Sequence, residues 1–185
     1  MKNVLLVISG PSGVGKGTLV KALKARREDV VESVSCTTRL PREGETHGKE
    51  YYFLSKEEFL RRIDEQDFLE YDEHFGNYYG TPKSFVKEKL KTHSVILEID
   101  VVGGLNAKKA FPDCLLIMIA PPSVEELKRR LKGRGTESDE AIAGRLSRLE
   151  YELSKQDEYD CVIVNDDFDR ALNELESVLD TARCK

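Results

Sequence analysis

No clustered cysteine, no long apolar run and no large excess of one charge occurs in this chain, and each absence removes a class of function. The four cysteines, Cys36, Cys114, Cys161 and Cys184, include no CxxC pair and no histidine at zinc spacing. Neither a disulfide framework nor a zinc site follows from them. Cys114 and Cys161 sit in apolar runs, where a thiol behaves as a small hydrophobe, so reduced structural cysteines are expected. The three histidines, His47, His74 and His93, lie far apart and suggest no metal cluster. Apolar stretches fall well short of a membrane span. Met1-Lys2-Asn3 and five apolar residues are too few for a signal-peptide core. A cytoplasmic protein with no membrane partner is expected. Lys and Arg number 29 against 34 Asp and Glu, a net charge of −5, so no global attraction to nucleic acid arises. An anion site must then be a local group of Lys and Arg. No internal repeat or low-complexity tract is visible, and 185 residues suit one domain with small inserted lobes.

What is present is an alternation. Val4–Ile8, Val95–Ile99, Leu115–Ile119 and Val162–Val164 are short β-branched and leucine runs, the mark of strands buried on both faces. Amphipathic segments near Ser84–Lys91, Val124–Lys132, Glu140–Ser154 and Asp169–Ala182 lie among them. Alternation of this kind predicts an α/β fold, a parallel sheet wrapped by helices. Ser123 reads as an N-cap with acid in the following turn, and Gly133 as the end of that helix. From about Ser33 to Thr81 the chain changes to tyrosine, phenylalanine, glycine and charge, with strand-like Tyr51–Leu54 and Phe68–Tyr71 around a helical Lys56–Ile63. A small inserted lobe is expected there.

The first chemical signal follows the first strand: Gly10-Pro11-Ser12-Gly13-Val14-Gly15-Lys16-Gly17-Thr18. It matches the P-loop spacing in the required context of strand, glycine loop and helix. Glycines let backbone N–H groups turn toward phosphate oxygens, and the helix from about Lys16 to Arg26 points its positive end at the same anion. Lys16 would reach the outer phosphates. Gly17 departs from the strict pattern, which has Ser or Thr there to meet Mg²⁺. No side chain is then expected to bind the metal directly; Mg²⁺ would be carried by the nucleotide's phosphates and water.

Three further groups carry charge. In Ser35-Cys36-Thr37-Thr38-Arg39-Leu40-Pro41-Arg42, two arginines three apart suit a compact phosphate, the other reading being a solvated loop. Tyr51 and Gly76-Asn77-Tyr78-Tyr79-Gly80-Thr81, read as a turn, add phenolic hydroxyls, while Tyr52 and Tyr78 read as packing residues. Glu70, Glu98 and Asp100 are carboxylates in apolar surroundings, and Glu98 and Asp100 are expected on one side of a single strand. Buried carboxylates are costly without a partner, and guanine offers the two N–H donors that match one. Finally, Lys128 to Arg148 holds five arginines: Arg129, Arg130, Arg134, Arg145 and Arg148. Most such runs are solvated helix faces, but Gly133-Arg134-Gly135 puts an arginine in a joint between helices, as in a lid that closes on a phosphoryl group.

Together these residues resemble the guanylate kinase family of nucleoside monophosphate kinases. Thr37-Thr38-Arg39-x-Pro41-Arg42 and Gly76-Asn77-Tyr78-Tyr79-Gly80-Thr81 carry the resemblance more specifically than the P-loop. It implies a three-layer P-loop kinase fold with a parallel core sheet (about 1–33, 83–126 and 155–185), a GMP-binding lobe at about 34–82 and a helical lid at about 127–154. It implies ATP-dependent phosphorylation of GMP, with dGMP a second candidate acceptor, and Mg²⁺ entering with ATP. By the same resemblance Arg39, Arg42, Tyr51 and Tyr79 hold the GMP phosphate. Ser35, Glu70, Thr81 and Asp100 read guanine, with Glu98 nearby. Lys16, Arg39, Arg130, Arg134 and Arg145 are the catalytic cations. Residues 10–18 with Asn165 and Asp166 bind ATP. Two competing readings remain: a kinase for AMP, suggested by Gly17, and a non-catalytic module that binds phosphopeptides, disfavoured by the intact P-loop and lid arginines.

Overall fold

A computed structural model describes residues 2–74, 76–133 and 139–184; the side chains at 74, 130–133 and 139–146 lie outside the described set. Its core sheet has five strands in the order β2 (Val30–Glu32), β7 (Ser94–Glu98), β1 (Leu5–Ser9), β8 (Leu115–Ala120) and β9 (Cys161–Val164). Every neighbouring pair is parallel. Period-two alternation of strand side chains divides the core. Leu6, Ile8, Ile96, Ile117, Ile119 and Ile163 face one helical layer, where Leu19, Val20 and Leu23 of α1 (Lys16–Arg26) meet Leu172, Leu175 and Leu179 of α7 (Phe168–Arg183). Leu5, Val7, Val95, Leu97 and Leu116 face the other, with Val86 of α3 (Lys83–Lys89) and Ala107 of α4 (Val101–Ala110). The expected three layers are therefore present.

A second sheet, in the order β4 (Tyr52–Phe53), β3 (Cys36–Thr37), β6 (Asn77–Pro82) and β5 (Phe68–His74), is built from the inserted stretch. Its small core stacks Phe59 of α2 (Lys56–Asp64) on Phe68, ring centroids 4.4 Å apart, with Cys36 beside them. Gly80 stands where this stack comes closest to the strand: a Cβ there would lie 3.0 Å from both rings. Tyr52 and Tyr78 pack against this cluster, as their sequence setting suggested. Leu69 of β5 joins the main core instead, which fastens the lobe to α4.

Four points differ from the sequence reading. Gly76–Thr81 is not a turn: residues 77–82 form β6, antiparallel to both β5 and β3. Its Tyr-Tyr-Gly-Thr sequence pairs on both sides, and polar residues hid that. Glu98 and Asp100 do not share a strand, because β7 ends at Glu98 and Asp100 is the N-cap of α4, its Oδ1 accepting from Gly103 N at 2.9 Å. Helix α4 and strand β2 were not foreseen; α4 carries Gly103 and Gly104 in its first turn, residues that argue against helix unless packing requires them. A Cβ on Gly104 would lie 2.9 Å from Ser9 Oγ and 3.2 Å from Tyr159 Oη, and that close approach is the requirement. No described helix is long and apolar enough to cross a membrane.

The last helical pair is α5 (Val124–Gly133) and α6 (Asp139–Ser154), which lead into a short 3-10 turn at Gln156–Glu158. Ser123 caps α5, its Oγ accepting from Glu126 N at 3.1 Å.

Candidate active site

The loop between β1 and α1 is held open by backbone geometry. Gly10, Gly13 and Gly15 have φ of 141°, 84° and 99°. At Gly10 a Cβ would sit 2.2 Å from the Ile119 carbonyl oxygen, and at Gly15 2.6 Å from Asn165 Nδ2. Val14, fully buried, pins the loop to the core. Gly15 is the N-cap of α1 without a side-chain cap, and no acidic residue lies in the first turn. The helix start therefore presents backbone N–H donors and a positive dipole end to an anion. Lys16 Nζ donates to the carbonyls of Gly10 at 2.6 Å and Pro11 at 3.2 Å, which keeps the ammonium over the loop. Ser12, Gly17 and Thr18 are exposed at its mouth.

Asn165 is placed beneath the loop. It is buried, and its Nδ2 donates to the Val14 carbonyl at 2.8 Å. The side chain thus braces the cradle. Asp166 is exposed and ion-paired with Arg170 at 2.5 Å.

In the second sheet and the loop after β3, Arg39, Tyr51 and Tyr79 come together; among the described residues, Arg42 is tied to them only through its backbone, whose N donates to Glu45. Arg39 lies 5.4 Å over the Tyr51 ring and 5.8 Å over Phe53, and the Tyr51 and Tyr79 rings meet edge-on at 6.0 Å. Burial, aided by Tyr79 and the charge of Glu98, pushes the Tyr51 phenol up against the opposing effect of Arg39. It stays a neutral donor. Glu45, which the sequence reading missed, holds the Arg39 guanidinium and the chain at Arg42: its Oε1 pairs with Arg39 Nη2 at 3.0 Å and its Oε2 accepts from the Arg42 backbone N at 2.7 Å. Desolvation opposes the charge on Glu45, but these donors outweigh it and hold its carboxyl below the usual range. Its signal in sequence was the i+3 spacing Arg39, Arg42, Glu45.

Glu70 and Thr81, expected to read a base, sit where β5, β6 and the α4 N-terminus meet. Glu70 is 7% exposed and accepts from Thr81 Oγ1 at 2.6 Å. Burial drives its carboxyl up to about 8; the Thr81 hydrogen bond works against this, and the charges of Asp100 and Asp72 add to it. A Cβ on Gly103 would stand 3.1 Å from Glu70 Oε2, so α4's first turn closes directly on the carboxylate. Ser35 is half-buried just before β3, and its carbonyl accepts from Tyr52 N at 2.9 Å. Glu98 ends β7 beside the loop, with burial pushing its carboxyl up and the Lys16 charge opposing that.

Of the arginines expected to act from a lid, Arg134 lies outside the described residues; Arg130 and Arg145 fall in α5 and α6, with side chains outside them too. Two other residues, one in α6 and one after the 3-10 turn, lie close to the loop. Glu152, 6% exposed, feels Lys16 and Arg148, and Arg148 Nε is 3.9 Å from its Oε1. Tyr159, just past the lid, shares a 2.5 Å hydrogen bond with Ser9 Oγ at the base of the loop. Glu152 was legible as the one carboxylate spaced with Leu149 and Leu153 on an apolar face; Tyr159 had no signal.

Chemically, the arrangement offers N–H donors and a lysine at the P-loop, an arginine and two phenols in the second sheet, and a hydrogen-bonded buried carboxylate beside them. Comparison with known proteins shows the family. A family model described as guanylate kinase matches residues 2–182. The guanylate kinase of Caldanaerobacter subterraneus subsp. tengcongensis is 47% identical over 185 residues, covering 100% of this chain and 90% of the relative. That of Synechocystis sp. is 50% identical over 176 residues, 95% of this chain and 92% of the relative. The crystal structure of guanylate kinase from Anaplasma phagocytophilum superposes with a TM-score of 0.82 at 36% identity, covering 100% of this chain and 88% of that one.

Proposed function

The chain belongs to the guanylate kinase family, and on that footing we propose that it transfers a phosphoryl group from ATP to GMP with the residues of the P-loop and the second sheet described above. The observation that carries the acceptor's identity is the buried Glu70–Thr81 pair closed off by α4. An ionised Glu70 accepts from guanine N1–H and N2–H₂, and Asp100, Ser35 and Thr81 complete the reading. Adenine has no N1–H and leaves the buried carboxylate unpaired, a mismatch worth orders of magnitude in turnover.

Arg39, Arg42, Tyr51 and Tyr79 hold the GMP phosphate, with Glu45 fixing Arg39 and the chain at Arg42. The P-loop backbone and Lys16 hold the donor phosphates, and Arg130, Arg134 and Arg145 come in from the lid as neutralising cations. The attacking phosphate needs no strong base, since its second pKa is about 6. What the protein supplies is in-line alignment of two anions that repel one another, and positive charge where the transferred group passes. Closure of the lobe at about 34–82 and the lid at about 127–154 excludes water, the wasteful acceptor. The residues suit Mg²⁺ held by nucleotide phosphates and water, since Gly17 has no hydroxyl and the loop mouth faces one half-buried carboxylate, Glu98. When bound, the ion neutralises charge on the outer phosphates. A protein with these needs works in the cytoplasm, where both nucleotides are.

A coupled ADP-release assay with each nucleoside monophosphate tests the reading. GMP turnover at least a hundredfold above AMP is expected; equal turnover of AMP would refute the role given to Glu70.

A further inference from the structure

Tyr159 stands between the 3-10 turn at Gln156–Glu158 and β9, and its ring packs against the core cluster of Leu5, Val7 and Leu116. Phenylalanine would fill that place equally well, so the hydroxyl is the part that needs a reason. It shares the 2.5 Å hydrogen bond with Ser9 Oγ. Ser9 is fully buried and is the one polar residue of β1. Burial pushes the Tyr159 phenol up to about 12 against the opposing effect of that bond, so the hydroxyl stays neutral. A hydrogen bond of this kind contributes only about 1 kcal/mol net, and an apolar pair of the same shape can be as stable. What an apolar pair lacks is direction.

Direction matters at this point because three elements meet there. Ser9 precedes Gly10, whose carbonyl accepts from Lys16 Nζ at 2.6 Å. Gly104 of α4 lies against the pair, where a Cβ would stand 2.9 Å from Ser9 Oγ and 3.2 Å from Tyr159 Oη. The start of the same helix bears Asp100 as its N-cap and Gly103 beside Glu70. One turn further on, Lys108 Nζ donates to Asp160 Oδ2 at 2.8 Å, and Leu116 N donates to the same oxygen at 2.8 Å. Residues 104 and 108 lie on one face of the helix, so Tyr159 and Asp160 fasten the chain to α4 side by side. Of the two, Tyr159 is the one that also reaches the loop. Resting on the kinase reading above, we propose that Tyr159 is a positioning residue of phosphoryl transfer: its hydroxyl holds Ser9, and with it the Gly10 carbonyl and the Lys16 ammonium, at a fixed place relative to α4 and the acceptor residues at its start. The donor phosphates and the attacking oxygen are thereby set in register. A misplacement of about 1 Å between reacting groups can slow a reaction by about a hundredfold, while the P-loop amides still bind.

The test is rapid-quench single-turnover transfer from MgATP to saturating GMP by the full-length protein, on wild type, Y159F, S9A, S9A/Y159F and D160N. Steady-state KM values and the thermal unfolding midpoint of each ligand-free variant are measured in parallel. Y159F and S9A are each expected to slow transfer about tenfold, with the KM values for ATP and GMP changed less than about threefold. Each should also lower the midpoint by about 2–4 °C. In S9A/Y159F two apolar groups face each other, so the midpoint is expected to return near that of wild type, while transfer stays about tenfold slow. D160N weakens the neighbouring tether alone; it is expected to lower the midpoint and leave the transfer rate within about twofold of wild type. Transfer that recovers together with the midpoint in the double variant would overturn the proposal in favour of plain packing. So would a Y159F rate equal to that of wild type, or D160N slowing transfer as much as Y159F. Absence of transfer to GMP by wild type would instead overturn the kinase reading beneath it.

Discussion

Because Glu70 is held near pKa 8 by burial, GMP binding should expel a proton. The ligand-free carboxyl is about three-quarters protonated at pH 7.5 and about one-tenth at pH 9, by simple titration about that value. Guanine's two N–H donors require the ionised form. Complex formation at pH 7.5 therefore releases about 0.75 proton, and at pH 9 about 0.1. The sign follows: affinity rises with pH through the Glu70 titration, by up to about fourfold, until the guanine N1–H itself ionises above about pH 9. The GMP phosphate, with its second pKa of about 6, is already a dianion throughout and contributes little. Isothermal titration in buffers of different ionisation enthalpy reads the proton count directly. Thr81→Val is the internal control. Its loss removes the hydrogen bond that favours the charged form, so the release curve should move up by about one pH unit or more. Proton release that stays constant from pH 7.5 to 9, or a carboxyl carbon resonance of Glu70 titrating below pH 6, would refute the reasoning.

The same shift has a stability counterpart. An acid whose folded pKa is raised stabilises the fold below its unfolded value, about 4.3. That contribution is lost as pH climbs toward 8, so urea stability of the ligand-free protein should decline over this window. Glu70→Gln should remove a few kcal/mol of that slope, and an unchanged slope would exclude Glu70 as its source. Glu45→Gln keeps the side chain's shape but weakens its hold on Arg39 and Arg42 N. We expect the KM for GMP to rise about tenfold with kcat less affected, and a change confined to ATP would contradict the assignment. Gly10→Ala puts a methyl group 2.2 Å from the Ile119 carbonyl oxygen at a φ of 141°. Chemical denaturation should show a loss of 2 kcal/mol or more, of the order expected for backbone strain with overpacking. Tyr159→Phe removes the bond to Ser9 Oγ. It should cost about 1 kcal/mol in stability, and a neutral result would mean that packing alone joins the lid's end to the loop.

Much of this protein was determined by local sequence. Buried strands on both faces of a parallel sheet need continuous apolar runs, so the runs Val4–Ile8 and Leu115–Ile119 disclosed the strands Leu5–Ser9 and Leu115–Ala120 without any knowledge of their neighbours. The P-loop was equally plain, because a phosphate cradle is built from consecutive backbone groups whose glycines must be adjacent in the chain. Arg39, Tyr51 and Tyr79, singled out from their motifs, do come together in the fold. Tertiary structure decided what depends on approach between distant segments. It turned Gly76–Thr81 into a central strand of the lobe by pairing it on both sides, and it separated Glu98 from Asp100 by ending β7 between them. It placed Asn165 under Val14 and Tyr159 on Ser9, contacts spanning 151 and 150 residues that no local pattern encodes. It also brought Gly104 against Ser9. A missing side chain is silent in sequence; its meaning lies in what fills the space, and only the fold puts that neighbour there.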